Sequence, residues 1–402
     1  MATKKNNNRS TKRKIRKSRK NTFGSTFSKG KITIPSHTPL DIQVLSRGIQ
    51  PAKLSSYTPT INDKLVSMKS IPRSKLQDCN NKAAFEMREP LKIGIGEEFF
   101  GKSCVPYFKP SAIKVLLKNL TANKHVNIKD VIPPIQIDSN CWFNTMFTTF
   151  FISDKGRKFF HYFRQLMIEG KQANGEEIPN KLKNGFALLN FAIDAALTGN
   201  EYAYELNTNN IIREIYDAVP DSYHARLPYI RNVKEAGNPI RYYSSIINYL
   251  NHGNTKTPIE LLYIGDCERN WKERINREIK QKTHLPHVVV IEIFDESNGT
   301  SGNSGLVTNK PLEFTSNRAR YMLDSCIVRD KQQQHFCATL TCNGREIGYD
   351  GMSFHRLVPM EWKKYINSNF EWSFEGSNNT DGTPLKWNFT HGYQMLLYYR
   401  TR

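Results

Sequence analysis

Nowhere in its 402 residues does the chain carry a run of about 18 uncharged apolar side chains, the length a membrane-spanning helix needs, and this excludes a helical membrane span. The amino-terminal stretch MATKKNNNRSTKRKIRK lacks the apolar core of a secretory signal, so the expected location is inside a cell or a virion. Acidic side chains are absent until Asp41. The seven cysteines, Cys79, Cys104, Cys141, Cys267, Cys326, Cys337 and Cys342, contain no CxxC pair, which argues against a disulfide scaffold and against a zinc ribbon. The question they leave is whether one thiol is chemically special.

What is present is strongly uneven. Twelve Lys and Arg residues precede Asp41, so the head supplies twelve of the net +21 charges and the remaining chain only nine. Such a run repels itself and cannot close around a core, and residues 1–40 are expected to form a disordered basic tail. One reading is an arm for nucleic acid or nuclear localisation, held by phosphate attraction and loosened by salt. The other is a solubilising tail with no partner. A mean hydropathy of −0.58 fits a chain with a polar, unstructured portion.

Residues 41–95 are rich in Pro, Ser, Thr, Asn and Lys with weak periodicity, and read as a linker or packing arm ahead of a folded domain over 96–402. Helical spacing begins at 111–120. The aromatic segment from Trp142 to Gly170 is apolar nearly all round, which predicts a buried helix or two helices broken near Ser153-Asp154, with Asp154 as a cap. Further helices are expected at 185–199, 207–219 and 239–253. From there the pattern turns to β-branched and alternating runs at 259–265, 287–294, 320–330, 335–342, 345–351 and 393–400. Helices followed by a mostly antiparallel sheet make the fold class α+β. Residues 295–305, DESNGTSGNSG, read as an exposed loop.

A nucleophilic cysteine needs its thiolate form, which a helix start favours. Cys141 follows the turn-prone Asp138-Ser139-Asn140 and opens the aromatic helix, although a buried, inert core cysteine fits the same pattern. The decisive partner would be an imidazole with a third group to orient it. Asn343-Gly344 is a strong two-residue hairpin signal, and a turn there pairs residues whose numbers sum to 687. His335 and Asp350 then become diagonal neighbours on adjacent strands with side chains on one face. Taken singly, His335 could be an edge-strand surface residue and Asp350 a turn residue before Gly351.

Four separated segments together resemble the ubiquitin-specific protease family of papain-like cysteine proteases. SNCWFNT, residues 139–145, is similar to the family's cysteine box, and HVVVIEIF to the apolar strand before the sheet core. YMLDSCIVRDKQQQHFCATLTCNGREIGYDG is similar to the histidine box, and GYQMLLYYR to the terminal strand. The match runs over about residues 130–402, as short motifs in the right order. The resemblance implies a papain-like fold with a helical half against the sheet, and a cysteine-dependent deubiquitinase that needs no cofactor. Its site would have Cys141 as nucleophile, His335 as base and then acid, and Asp350 as the residue orienting the imidazole. Gln136, five residues before the nucleophile, would donate to the oxyanion together with backbone N–H; read alone it is a solvent-facing loop residue.

The chain departs from that pattern in several places. The family has Gly-Asn-Thr before the cysteine, where this chain has Asp138-Ser139-Asn140. Asp-x-Asn-Cys is also similar to the ovarian-tumour class of deubiquitinase, but that class wants a late histidine followed by an aromatic, and His391 is followed by Gly392. Gln334 replaces the glycine that often precedes the histidine. Only Cys267 and Cys326 lie between Cys141 and His335, so the family's zinc finger is expected to be missing. Three functions follow as expectations: hydrolysis after the terminal Gly of ubiquitin or a related modifier; maturation of virion proteins at Gly-Gly-x sites; or a non-catalytic structural or packaging protein on the same fold. The Asn, Lys and Ile content suggests a large DNA virus as source.

Overall fold

The computed structural model of the chain describes residues 79–95, 103–123, 126–200, 202–219, 223–235, 237–254, 259–265, 271–293, 309–332 and 335–401. The basic head, the first part of the arm, the 295–305 loop, Cys267 and Gln334 lie outside the described residues. In chain order the elements are α1 (Lys82–Phe85), β1 (Lys92–Gly94), β2 (Cys104–Pro106), α2 (Pro110–Ala122), α3 (Cys141–Phe147), a π-turn (Thr148–Ile152), α4 (Asp154–Glu169), α5 (Asn180–Thr198), α6 (Tyr202–Glu205), α7 (Thr208–Ala218) and α8 (Pro239–Leu250). Then follow β3 (Leu261–Ile264), α9 (Trp271–Lys280), β4 (Val288–Ile293), β5 (Glu313–Ser316), β6 (Ala319–Arg329), β7 (Phe336–Cys342), β8 (Arg345–Tyr349), β9 (Leu357–Pro359), α10 (Trp362–Tyr365), β10 (Glu371–Trp372), β11 (Trp387–Asn388) and β12 (Gln394–Arg400). The α+β class is the one expected, with a helical half before a mostly antiparallel sheet.

Local chemistry sets the helix ends. Asn238 caps α8 by accepting the Arg241 N–H, with Pro239 in the first turn where its missing N–H costs nothing. The long aromatic segment does break where expected, but the cap differs. Ser153 accepts the Gly156 N–H at the start of α4, while both carboxylate oxygens of Asp154 accept the N–H groups of Asn343 and Gly344, each at 2.9 Å. Asp154 is thus spent on the hairpin turn rather than on its own helix.

The main sheet runs β3-β4-β12-β6-β7-β8-β9, with β5 on the flank of β6. Among the described strands, only β3 and β4 pair in parallel. Both faces of its centre are covered, which is why β4 and β12 read as near-continuous apolar runs rather than alternations. Val288, Val290, Met395, Leu397 and Tyr399 join the helical half in one core, while Val289, Ile291, Leu396 and Tyr398 pack with Trp362, Trp372 and Trp387 in a second. The β7–β8 register keeps the expected sum, with Ala338 opposite Tyr349 and Leu340 opposite Ile347. Asn343 and Gly344 both have positive φ, 49° and 67°, as a tight two-residue hairpin turn requires.

The arm belongs to the folded body from residue 79 onward, ahead of the expected domain start at 96. Phe85, Leu91 and Ile93 are buried in the helical core, Phe85 against Phe191 and Tyr202, so apolar burial here outweighs the polar composition of the segment as a whole. Asn80 bonds both to the Lys92 N–H and to its carbonyl, and Gly94 pairs with Cys104. These contacts bring Cys79 beside Cys104, and the two form a disulfide. That pairing has no signature in the spacing of the cysteines.

Candidate active site

The β7–β8 hairpin places two sequence-predicted residues at its open end. His335 immediately precedes β7 and Asp350 immediately follows β8. His335 Nε2 lies 2.6 Å from Asp350 Oδ1, and both side chains are essentially closed to solvent. The same carboxylate oxygen accepts the Met352 N–H at 3.1 Å, and Oδ2 accepts the Ser377 hydroxyl. The histidine backbone is held as well, its N–H donating to Asp330 at 2.5 Å, and the Trp387 ring meets the imidazole in a T-shaped contact with centroids 5.9 Å apart.

Cys141 reaches this pair from the helical half. It opens α3 and stays half-buried, whereas the other described free cysteines, Cys326, Cys337 and Cys342, are fully buried. Three long-range bonds attach its leading loop to the sheet end. Tyr349 Oη donates to the Pro134 carbonyl (2.8 Å), Arg356 to Pro133 (2.6 Å), and the Gln136 N–H to Gly351 (2.9 Å). Gly351 is small for this reason: a Cβ there would stand 3.0 Å from Gln136 N and from Tyr349 Oη. Further along, Asn140 accepts the Ile137 N–H, receives an N–H from Asn144 and donates to Thr208, while Asn209 donates to the Ile137 carbonyl. Asp138 takes φ +57°, the left-handed region that glycine favours and aspartate tolerates. The departure from glycine at this position is therefore accommodated by the loop.

Electrostatics at the centre favour a charged imidazole. Burial opposes the imidazolium of His335, but the Asp350 charge, its hydrogen bond and the interaction with Cys141 outweigh burial and raise the ring to about 10. With Nε2 committed to Asp350, Nδ1 is the nitrogen left toward the cysteine. Cys141 favours the charged ring through a side-chain contact as well as through its charge, in a geometry too loose for a well-formed hydrogen bond to Nδ1. Cys337 beside this pair is pushed well up by burial, and it stays a neutral thiol.

No family model and no curated protein sequence matches the chain. Solved structures similar in part include the SAGA Ubp8/Sgf11/Sus1/Sgf73 DUB module, 11% identical over 68% of this chain and 68% of that one, with a TM-score of 0.37. The same module bound to ubiquitin aldehyde is 10% identical over 68% and 70%, again at 0.37. An essential yeast splicing factor is 10% identical over 80% and 87%, at 0.31. Similarity at this level does not place the chain in a family.

Of the expected site residues, Cys141, His335 and Asp350 come together. Gln136 lies in the same loop, but its Nε2 donates to the Asp138 carbonyl at 3.1 Å, and its buried Oε1 has no hydrogen-bond partner. An oxyanion role would require the amide to leave Asp138. Sequence reasoning missed Ser377, Trp387 and the Asn140–Asn144–Thr208 network. Asn144 did carry a signal, as a polar residue inside an apolar helix; Ser377, in the turn-rich stretch Gly376-Ser377-Asn378-Asn379, carried none. Among the described residues no cluster of His, Cys, Asp and Glu could hold a metal ion.

Proposed function

We propose that the chain is a cysteine-type peptidase that hydrolyses the bond after the C-terminal Gly of ubiquitin or a ubiquitin-like modifier. The observation that carries the hydrolase reading is the buried His335 imidazole, held 2.6 Å from Asp350 and electrostatically coupled to Cys141. The choice of modifier rests on the resemblance of the four sequence segments to ubiquitin-specific proteases. In this reading the Cys141 sulfur attacks the substrate carbonyl, and the backbone N–H of Cys141, joined by Gln136 once its amide is released from Asp138, stabilises the oxyanion. His335, biased toward its protonated form, gives its proton to the departing lysine amine, and then takes one from the water that cleaves the thioester. Asp350 keeps the ring oriented and its charge balanced throughout.

The test is incubation of the full chain with ubiquitin carrying a thiol-reactive group at its C-terminus, read by intact and peptide mass spectrometry. A single adduct on Cys141 that is lost in Cys141→Ser and suppressed in His335→Ala is the expected result. Modification spread over several cysteines, or none at all while a Gly-Gly-x peptide is cleaved, would overturn the ubiquitin assignment. Absence of both activities would leave the non-catalytic reading.

A further inference from the structure

We propose that Ser377 is a positioning residue of this site, its hydroxyl holding Asp350 so that the opposite carboxylate oxygen stays directed at His335. The inference rests on the hydrolase reading and adds to it a residue supplied by a separate part of the chain. Ser377 sits between β10 and β11, a two-stranded ribbon outside the main sheet. It is fully buried and donates to Asp350 Oδ2, the oxygen that does not face the histidine. The Ser377 backbone is itself bound on both sides, its N–H to the Phe374 carbonyl (3.1 Å) and its carbonyl to the Leu385 N–H (2.9 Å).

The ribbon touches the site at more than one point. Trp387 on β11 meets the His335 imidazole in a T-shaped contact, and Phe374 makes another with Trp387 at 5.3 Å. The ribbon is also tied to both loops that carry the site. Lys331, ahead of His335, donates its N–H to the Lys386 carbonyl, and Phe354, after Asp350, donates its N–H to the Glu375 carbonyl. Lys331 and Lys386 both pair with Glu371 at 2.8 Å. A carboxylate with one oxygen shared between His335 and Met352 can still rotate about its own bond. A second donor on the other oxygen removes that freedom, which is what an orienting group requires.

Ser377 should therefore affect the rate of the chemistry more than binding. The site's other interacting groups limit what can titrate: Cys141, Cys337 and Tyr349 interact electrostatically with the His335–Asp350 pair, and Asp330 accepts the His335 N–H. Burial pushes Cys337 and Tyr349 well up, so both remain neutral. Without the hydroxyl donor the carboxylate loses its hold on one oxygen and can turn away from His335, so the imidazolium it supports loses part of its stabilisation and the ring titrates lower.

The experiment uses the full chain as wild type, Ser377→Ala and Ser377→Thr, with ubiquitin bearing a fluorogenic C-terminal amide as substrate. Thermal unfolding is followed in parallel, and the His335 ring is titrated by NMR. For Ser377→Ala the expected result is a kcat about 10- to 100-fold lower, the worth of one hydrogen bond to a charged group, with KM unchanged and the His335 ring titrating lower than in the wild type. Ser377→Thr, which keeps the hydroxyl, restores most of the rate. A purely structural role would lower only the melting temperature, and an unchanged kcat with an unchanged His335 titration in Ser377→Ala overturns the proposal. If the wild type itself does not hydrolyse the substrate, the peptidase reading fails, yet the ring titration still decides the role of Ser377. A different His335 titration in Ser377→Ala supports the link to Asp350, and an identical one overturns it. The same titration decides if Ser377→Thr does not fold.

Discussion

Each group at the candidate active site has few partners, so single substitutions there have separable consequences. Gln136 is the clearest case, because its amide N–H is engaged with the Asp138 carbonyl. If it releases that bond to serve the oxyanion, Gln136→Ala lowers kcat by about 10²-fold or more with little change in stability, as for the loss of one oxyanion donor. Equal kcat in the variant, measured on a fluorogenic ubiquitin amide, would remove Gln136 from the chemistry and leave the backbone N–H to act alone. Asp350→Ala costs less than Cys141→Ala in the same assay, because an orienting group sets ring pose and charge without forming the bond that breaks. A larger loss for Asp350 than for Cys141 would mean that its removal collapses the hairpin end.

Elements rather than residues determine how the two halves of the site meet. The β7–β8 hairpin is held at both ends: Asp154 grips its turn, and the 133–136 loop is bonded to the segment around Tyr349 and Arg356 at its base. Asp154 also pairs with Arg157 at 2.7 Å, with both side chains almost fully buried. Asp154→Ala strands the arginine and frees the turn, and is expected to cost about 3–5 kcal/mol in a denaturant titration. Asp154→Asn, which keeps an acceptor for the turn, should recover part of this; a loss below about 1 kcal/mol for the alanine variant would contradict the role assigned to the pair. Burial alone would raise the Asp154 carboxyl, but Arg157 and the two turn N–H groups lower it overall. Its stabilisation is therefore present above the unfolded carboxyl value of about 3.9 and is lost as pH falls through the lower folded value.

Across the whole molecule, the sheet is the shared wall of two cores, and its buried polar groups make stability depend on pH. His287, at the entry to β4, is buried; the Glu260 N–H donates to its Nδ1 at 3.3 Å, which the neutral ring accepts. Burial, followed by the Arg400 charge and His284, pushes it down to about 3. The folded state thus resists a proton that the unfolded chain takes near its ordinary value of about 6.5. This contribution is complete above about 6.5, and falls by about 1.4 kcal/mol per pH unit as pH drops toward the folded value. Unfolding midpoints at pH 7, 6 and 5 should decline in the wild type and decline less in His287→Gln. Parallel lines for the two proteins would show that His287 does not carry the dependence.

The sequence by itself determined the class and most of the element order, because apolar periodicity and turn chemistry act locally. The helices near 111–120, 185–199, 207–219 and 239–253 and six of the strands lie where those patterns put them. Asn343-Gly344 was enough to set the β7–β8 register, and with it the meeting of His335 and Asp350, since a two-residue turn leaves one pairing that keeps the buried face buried. Short elements escaped that reading: β1, β2, β5, β9, β10 and β11 have two to four residues each, too few to show a period. Tertiary structure alone decided the partners of long sequence separation. The Cys79–Cys104 disulfide, the capture of the hairpin turn by Asp154, the bond from Ser377 to Asp350 and the approach of Cys141 to His335 all join residues with no local pattern in common. They exist because the sheet and the helical half bury apolar faces against each other, and polar side chains enclosed by that burial must find their hydrogen bonds wherever the chain has been brought.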